Sequence, residues 1–373
     1  MKLNYILPIA GFSLISCLGA DNIYSPYSCG INPGIPACNG CGYSASISYL
    51  YWKPYQDNNA WANITSSIDN GLDDFPVGGM YENSHSIKHE TKSIKDNWDS
   101  GLRIDLGIDM PCYLWSLNVA WSHFNTTEKA IANISTGTNL PTFFNPNFKL
   151  PVSPLNIRGK GSALWKVEYN QIDFLVNREF IFGYGVTLSP YIGLTSLMLK
   201  ESYLITNSSA VSNEFDDDIT FDYLTKLSSN FKSFGLKTGL KTRYEIGCGI
   251  GLYGDLSLSS TYGDVDSISA IEGTGEFGFG KQLLYDKSSI RENCLRTTLD
   301  LVLAFEWRIL HDYNDGMMFV RCGWEHHTFF DQNNFIQSNL SNFQDVNSVF
   351  FNQRLTGGNL YLYGLTLTIG GNF

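Results

Sequence analysis

Glu325-His326-His327 is the densest run of acid/base and metal-binding side chains in the chain, with His123 and Asp331 as candidate companions. Imidazole beside carboxylate can hold a metal ion or run general acid/base hydrolysis at the mouth of a barrel. In an extended strand, however, neighbouring side chains point to opposite faces, so His326 and His327 cannot share one ion. They read better as a polar pair at an outer rim. Gly249-Ile250-Gly251-Leu252-Tyr253-Gly254 fits the dinucleotide fingerprint G-x-G-x-x-G. That fingerprint works only between a strand and a helix, and here an alternating run continues through Asp255, Ser257 and Ser259, so the glycines read as room inside a wall. Cys38-Asn39-Gly40-Cys41 has redox-motif spacing but sits in a Gly/Pro-rich segment, so Cys29, Cys38 and Cys41 read as structural or intermolecular disulfide candidates. No catalytic residue, metal or cofactor is expected.

A richer constellation is spread over alternate positions of many segments. Arg103, Asp105, Asp109, Lys237, Lys241, Arg243, Asp255, Arg296, Asp300, Glu306, Arg308, Arg321 and Glu325 each lie on the polar side of an alternating stretch. Such charges are costly against lipid, roughly 2–4 kcal/mol for Arg or Lys at mid-bilayer, so in a membrane wall they must face inward. Facing charges of opposite sign either plug a narrow lumen as ion pairs or set a field across a wet one, and the sequence leaves both open. As pore-lining groups they would bias ion choice.

The elements that position them are long strands. Leu295, Thr297, Leu299, Leu301, Leu303, Phe305, Trp307 and Ile309 form one face of the cleanest, with Arg296, Asp300, Glu306 and Arg308 on the other. Similar alternation covers 43–51, 102–110, 115–121, 165–176, 186–203, 236–244, 250–262, 318–324 and 361–373. Near Asn170-Gln171 the apolar phase shifts from Trp165, Val167 and Tyr169 to Ile172, Phe174 and Val176, which suggests a bulge. Short turns alternate with long polar connections at 53–97, 125–161, around 216–218, at 263–293 and at 331–358. Aromatics at the segment ends suggest two membrane girdles: Trp52, Trp98, Trp121, Trp165 and Tyr203 outside, and Tyr113, Phe182, Tyr184, Tyr313 and Phe373 inside. The reading is an all-β, transmembrane, antiparallel up-and-down β-barrel of ten long strands, or 12–16 if the loops hide further pairs, with short periplasmic turns and long extracellular loops.

The ends fit this. Lys2, an apolar stretch over 5–18 and the small residues Gly19 and Ala20 have the layout of a secretory signal peptide. Leu14-Ile15-Ser16-Cys17 also fits a lipoprotein box that would lipidate Cys17. Tyr361, Tyr363, Leu365, Leu367, Ile369 and Phe373 share one face of the last strand, and a terminal aromatic of this kind resembles the recognition signal of outer-membrane barrel assembly. The divisions are therefore 1–20 signal peptide, 21–42 Cys/Gly/Pro-rich segment and 43–373 barrel. A net charge of −11 argues against nucleic acid as a partner. Expected partners are outer-membrane lipid, the barrel-assembly machinery, and disulfide-linked envelope proteins or further copies of this chain.

Several motifs in order carry a resemblance: Leu50-Tyr51-Trp52-Lys53-Pro54-Tyr55, Trp121-Ser122-His123-Phe124, Trp165-Lys166-Val167-Glu168-Tyr169-Asn170, Arg178-Glu179-Phe180, the glycine run at 249–254, Gly323-Trp324-Glu325-His326-His327 and Phe330-Asp331-Gln332-Asn333. Together they resemble the Legionella-type major outer membrane proteins, related to pore-forming proteins of chlamydia-like bacteria. The resemblance implies an outer-membrane porin for small hydrophilic solutes and ions, often cross-linked by disulfides into an envelope network, with no catalytic residues. The alternatives are a structural or adhesive barrel with a closed lumen and, third, an outer-membrane hydrolase using His326 or His327 with Asp331.

Overall fold

The computed structural model describes residues 42–69, 85–110, 115–134, 139–142, 157–182, 185–211, 219–277, 280–311, 316–341, 350–355 and 357–373. The expectations for the signal peptide, for Cys29, Cys38 and Cys41, and for Tyr113, Tyr184 and Tyr313 lie outside them. Among the described residues every regular element is a strand: β1 (Gly42–Gln56), β2 (Ala60–Asp69), β3 (His85–Ser93), β4 (Asp99–Met110), β5 (Trp115–Ile134), β6 (Asn139–Thr142), β7 (Ile157–Arg178), β8 (Phe180–Phe182), β9 (Val186–Val211), β10 (Ile219–Gly247), β11 (Ile250–Phe277), β12 (Gly280–His311), β13 (Gly316–Phe329), β14 (Ile336–Ser341), β15 (Phe350–Leu355) and β16 (Leu360–Asn372). Ten of them close one antiparallel ring in the order β1-β4-β5-β7-β9-β10-β11-β12-β13-β16, with β16 returning to β1. Closure leaves no edge strand, as a sheet in lipid requires. Tyr43 and Phe373 complete the seam by exchanging backbone hydrogen bonds of 3.0 and 2.8 Å. Among the described residues no further pair joins the ring. β2, β3 and β6 form one small sheet and β14 and β15 another.

Alternation decides which residues meet lipid. Ile47, Leu106, Leu117, Phe174, Ile192, Leu236, Leu256, Leu303, Phe305 and Leu367 are all exposed on the outer wall. An apolar surface of this extent must be covered, and a bilayer covers it. No helix among the described residues is long and apolar enough to cross a membrane; the crossing is made by strands.

The strands run much farther than the alternation suggests. A crossing needs roughly 9–11 residues, yet β10 has 29, β11 has 28 and β12 has 32. The expected polar loops at 125–161 and 263–293 are in large part ladder: β5 pairs with β7 up to Ile134↔Gly159, and β11 pairs with β12 up to Phe277↔Gly280. The expected bulge at Asn170-Gln171 is absent, because β7 keeps an unbroken register on both neighbours there. What changes at that level is the solvent. Below it, lipid is outside, and Ile172, Phe174 and Val176 face outward; above it, water is outside, and the apolar Trp165, Val167 and Tyr169 turn inward, all at most 2 % exposed. On the outer wall Lys200 pairs with Glu168 at 3.6 Å, which marks the far side of that boundary.

The inward apolar rows of this upper extension meet in one core. Leu50, Trp52, Phe124, Trp165, Tyr203 and Phe231 are among its members, and Phe335, from the segment after β13, packs edge-on against Tyr203 at 4.9 Å. Trp52, Trp165 and Tyr203, expected in the outer girdle, therefore fill the barrel instead. The outer girdle is built by Tyr51, Trp98, Trp121 and Trp324, with Tyr51 stacked on Trp98 at 5.2 Å and Trp98 edge-on to Trp324 at 6.1 Å. Phe182 and Phe373 are exposed at the opposite end, as expected.

Candidate functional site in the barrel lumen

Below the apolar core the lumen is lined by charge. Arg103, Asp105, Asp109, Lys237, Lys241, Arg243, Asp255, Arg296, Asp300, Glu306, Arg308, Arg321 and Glu325 all lie on the inward-facing alternate positions of their strands. Ten of them gather into two layers. Asp105 accepts a bond from Ser46 at 3.2 Å, Asp109 lies at the end of the β1–β4 ladder opposite Gly42, and Arg296, higher up, lies over the Phe231 ring at 4.7 Å and bonds the Cys294 sulfur through Nε at 3.2 Å.

The lower layer centres on Glu306 of β12, whose side chain is 1 % exposed. Arg308 Nε lies 2.7 Å from its Oε1, Arg243 Nε 2.9 Å from the same oxygen, and Arg321 pairs with Oε2. Three strands thus deliver three guanidinium groups to one carboxylate. Arg321 also lies 3.5 Å from the Tyr253 ring centroid. Beside it, Tyr191 donates to Asp255 at 2.9 Å, and Lys241 sits over the Tyr191 ring at 5.4 Å.

The upper layer is a chain of ion pairs that crosses the lumen. Asp173 of β7 meets Lys237 of β10 at 2.9 Å, and Lys237 meets Asp300 of β12 at 3.0 Å. Asp300 meets His327 Nδ1 of β13 at 2.8 Å, and His327 Nε2 meets Glu325 at 3.2 Å. Glu325 then accepts two parallel bonds from Arg103 of β4, at 2.8 and 2.9 Å, the fork geometry in which arginine holds a carboxylate best. Neutral donors complete it: Thr195 and Gln171 donate to Asp173, and Ser257 to Asp300. Trp52, from the apolar core, packs against His327 with ring centroids 4.7 Å apart.

Two members of this layer escape the sequence reading. Asp173 alternates with apolar residues in the same way as its neighbours, and the apparent bulge next to it hides its face. His327 reads as a rim residue beside His326, but only His326 is at the rim, stacked on Tyr363 at 5.9 Å. The suggested companions of a catalytic cluster are elsewhere: His123 lies on the outer wall against Trp121 and bonds Asn170, and Asp331 bonds Asn359 through its backbone. In the glycine run, Gly249 has φ +77° in the tight β10–β11 turn, while Gly251 and Gly254 lie within β11, so no helix follows to receive a pyrophosphate. Cys294 and Cys322 form no disulfide. The assembly-face residues Tyr361, Tyr363, Leu365, Leu367 and Ile369 sit on the outward row of β16, and Phe373 is 76 % exposed.

Above the membrane, Glu201 is 3 % exposed inside the barrel, where burial raises its carboxyl to about 8. It accepts a bond from Gln56, whose own Oε1 accepts from Tyr203 at 2.9 Å.

Among solved structures, the chain is similar to the outer membrane protease OmpT from Escherichia coli, at 11 % identity over 89 % of this chain and 96 % of that one, with a TM-score of 0.34. It is also similar to a major outer membrane protein from Thermus thermophilus, at 10 % identity over 89 % and 99 %, TM-score 0.27. A FadL homologue from Pseudomonas aeruginosa follows at 7 % identity over 90 % of each, TM-score 0.25. No curated protein matches the chain. The family described as the Legionella pneumophila major outer membrane protein precursor matches residues 35–370. The chain belongs to that family and is a β-barrel of the bacterial outer membrane.

Proposed function

We propose that the barrel is a pore closed at rest, which passes small hydrophilic solutes and ions when its luminal ion pairs exchange partners. The observation that carries this reading is the surplus of partners: Glu306 has three arginines, and Asp300 has both Lys237 and His327. When Asp300 lets go of one partner it keeps the other, and the released Lys237 or His327 still has Asp173 or Glu325, so the pairs can rearrange without the several-kcal/mol cost of an uncompensated buried charge. Ten strands lie close to the size at which side chains fill the interior, roughly eight, and well below the 16–18 of open porins. A permanently wide, water-filled channel therefore fits this geometry poorly, and a gated one fits it well.

A second reading is a barrel whose lumen never opens and whose extracellular extension does the work. The apolar core above the ion pairs favours it, since Trp52, Trp165, Phe231 and Phe335 are all fully or almost fully buried inside the barrel there. Planar-bilayer recordings separate the two. The gated pore gives brief openings from a closed baseline, more frequent in Trp52→Ala; the sealed barrel gives none in either protein.

A further inference from the structure

The lipid-facing wall carries a cleft that the lumen does not use. Near the periplasmic rim, Leu106, Leu117, Val119, Phe174, Val176 and Leu194 line a concavity of about 720 Å³. Its floor includes the strands at Gly107 and Gly193. The volume falls within the roughly 300–1,000 Å³ of sites that hold a small organic ligand.

Arg178 stands at the periplasmic end of this cleft. It pairs with Trp115 in the β5–β7 ladder, one outward step beyond the Leu117↔Val176 pair that lines the cleft. Two residues along a strand span roughly 7 Å, so the guanidinium sits about a headgroup's depth from the apolar lining. Its central carbon lies 5.5 Å from the Trp115 ring centroid and 5.2 Å from that of Phe180. The Nε is buried with no hydrogen-bond partner. Glu179, next in sequence, forms no ion pair with it among the described residues and lies instead within electrostatic reach of Arg308, Arg243 and Lys241. An arginine held against two rings at the lipid boundary, with no carboxylate paired to it among the described residues, is complementary to an anion presented by the membrane.

We infer that Arg178, Trp115, Phe180 and the adjoining cleft form a site for one phospholipid of the inner leaflet. The guanidinium holds the phosphodiester, and one acyl chain lies along Leu117, Val119 and Phe174. Lipid rather than free phosphate is the occupant because the apolar cleft continues directly from the cation.

Native mass spectrometry of the detergent-purified barrel, titrated with phosphatidylglycerol, tests this. The wild type should retain one lipid ahead of all others. Arg178→Gln should weaken that first step about tenfold, the factor that ~1.4 kcal/mol corresponds to, and Arg178→Lys should restore part of it. Ala45 of β1 also lines the cleft; Ala45→Phe, which narrows it without touching the arginine, should displace the lipid as well. Cold-gel mobility identifies folded barrel in each preparation. Unchanged first-lipid retention in Arg178→Gln or in Ala45→Phe overturns the site, as does full competition by inorganic phosphate.

Discussion

Replacing Glu306 by glutamine removes one charge and almost no volume; it leaves Arg308 and Arg321 without their carboxylate and Arg243 with only Glu245, 3.7 Å away, all facing a neutral amide. Breaking a buried ion pair from one side costs roughly 3–5 kcal/mol, because the remaining charge is uncompensated. The three arginine side chains are 13–29 % exposed, so solvent relieves part of that and the lower end applies, about 3 kcal/mol. This shifts the folding equilibrium by roughly a hundredfold. Urea titration of the barrel in detergent, read by the mobility difference between folded and unfolded bands, measures it. Arg308→Gln is the internal control: it removes the most exposed of the three and leaves Glu306 with two partners, so its cost should stay near 1 kcal/mol or below, about that of a surface pair. Glu306→Gln within about 0.5 kcal/mol of wild type, the range of an ordinary surface substitution, would refute the reasoning, because it would mean that water already solvates these arginines.

Three further outcomes are expected. Between about pH 4.5 and 8 the folded state keeps a proton on Glu201 that the unfolded chain has released, so stability falls as pH rises through that window and levels off above it; Glu201→Gln should remove this slope in urea titrations at several pH values. Trp165→Ala, at a fully buried side chain stacked on Tyr203, should cost roughly 3–5 kcal/mol by the same titration. Leu303→Arg, which faces lipid, should cost roughly 2–4 kcal/mol and reduce insertion into lipid vesicles, whereas Ser202→Arg, outward but beyond the lipid boundary, should insert as well as wild type; equal insertion of both would misplace that boundary.

The wall is legible where lipid imposes one simple rule. Along β12, Leu299, Leu301, Leu303 and Phe305 face outward as their alternation demands, and Asp300 and Glu306 face inward. The rule inverts above the membrane, where water replaces lipid outside, and sequence alternation alone cannot tell that inversion from a slipped register. Hence Trp165 and Tyr203 read as a girdle and Asn170-Gln171 as a bulge, although β7 is continuous. The charged lumen residues can be named because lipid excludes them. Their partners cannot, since Arg103 and Glu325 are 222 positions apart and only closure of the ring brings them together. His327 is hidden by its neighbour His326, which does face outward, toward the Tyr361 and Tyr363 rings.

Single-channel current of the purified wild-type protein in planar bilayers tests the central claim most directly. A closed baseline interrupted by brief openings is the predicted record, because the ion-pair layers must exchange partners and the apolar core must part before solute can pass. A large, steady conductance step at each insertion, or silence at every voltage, would contradict it.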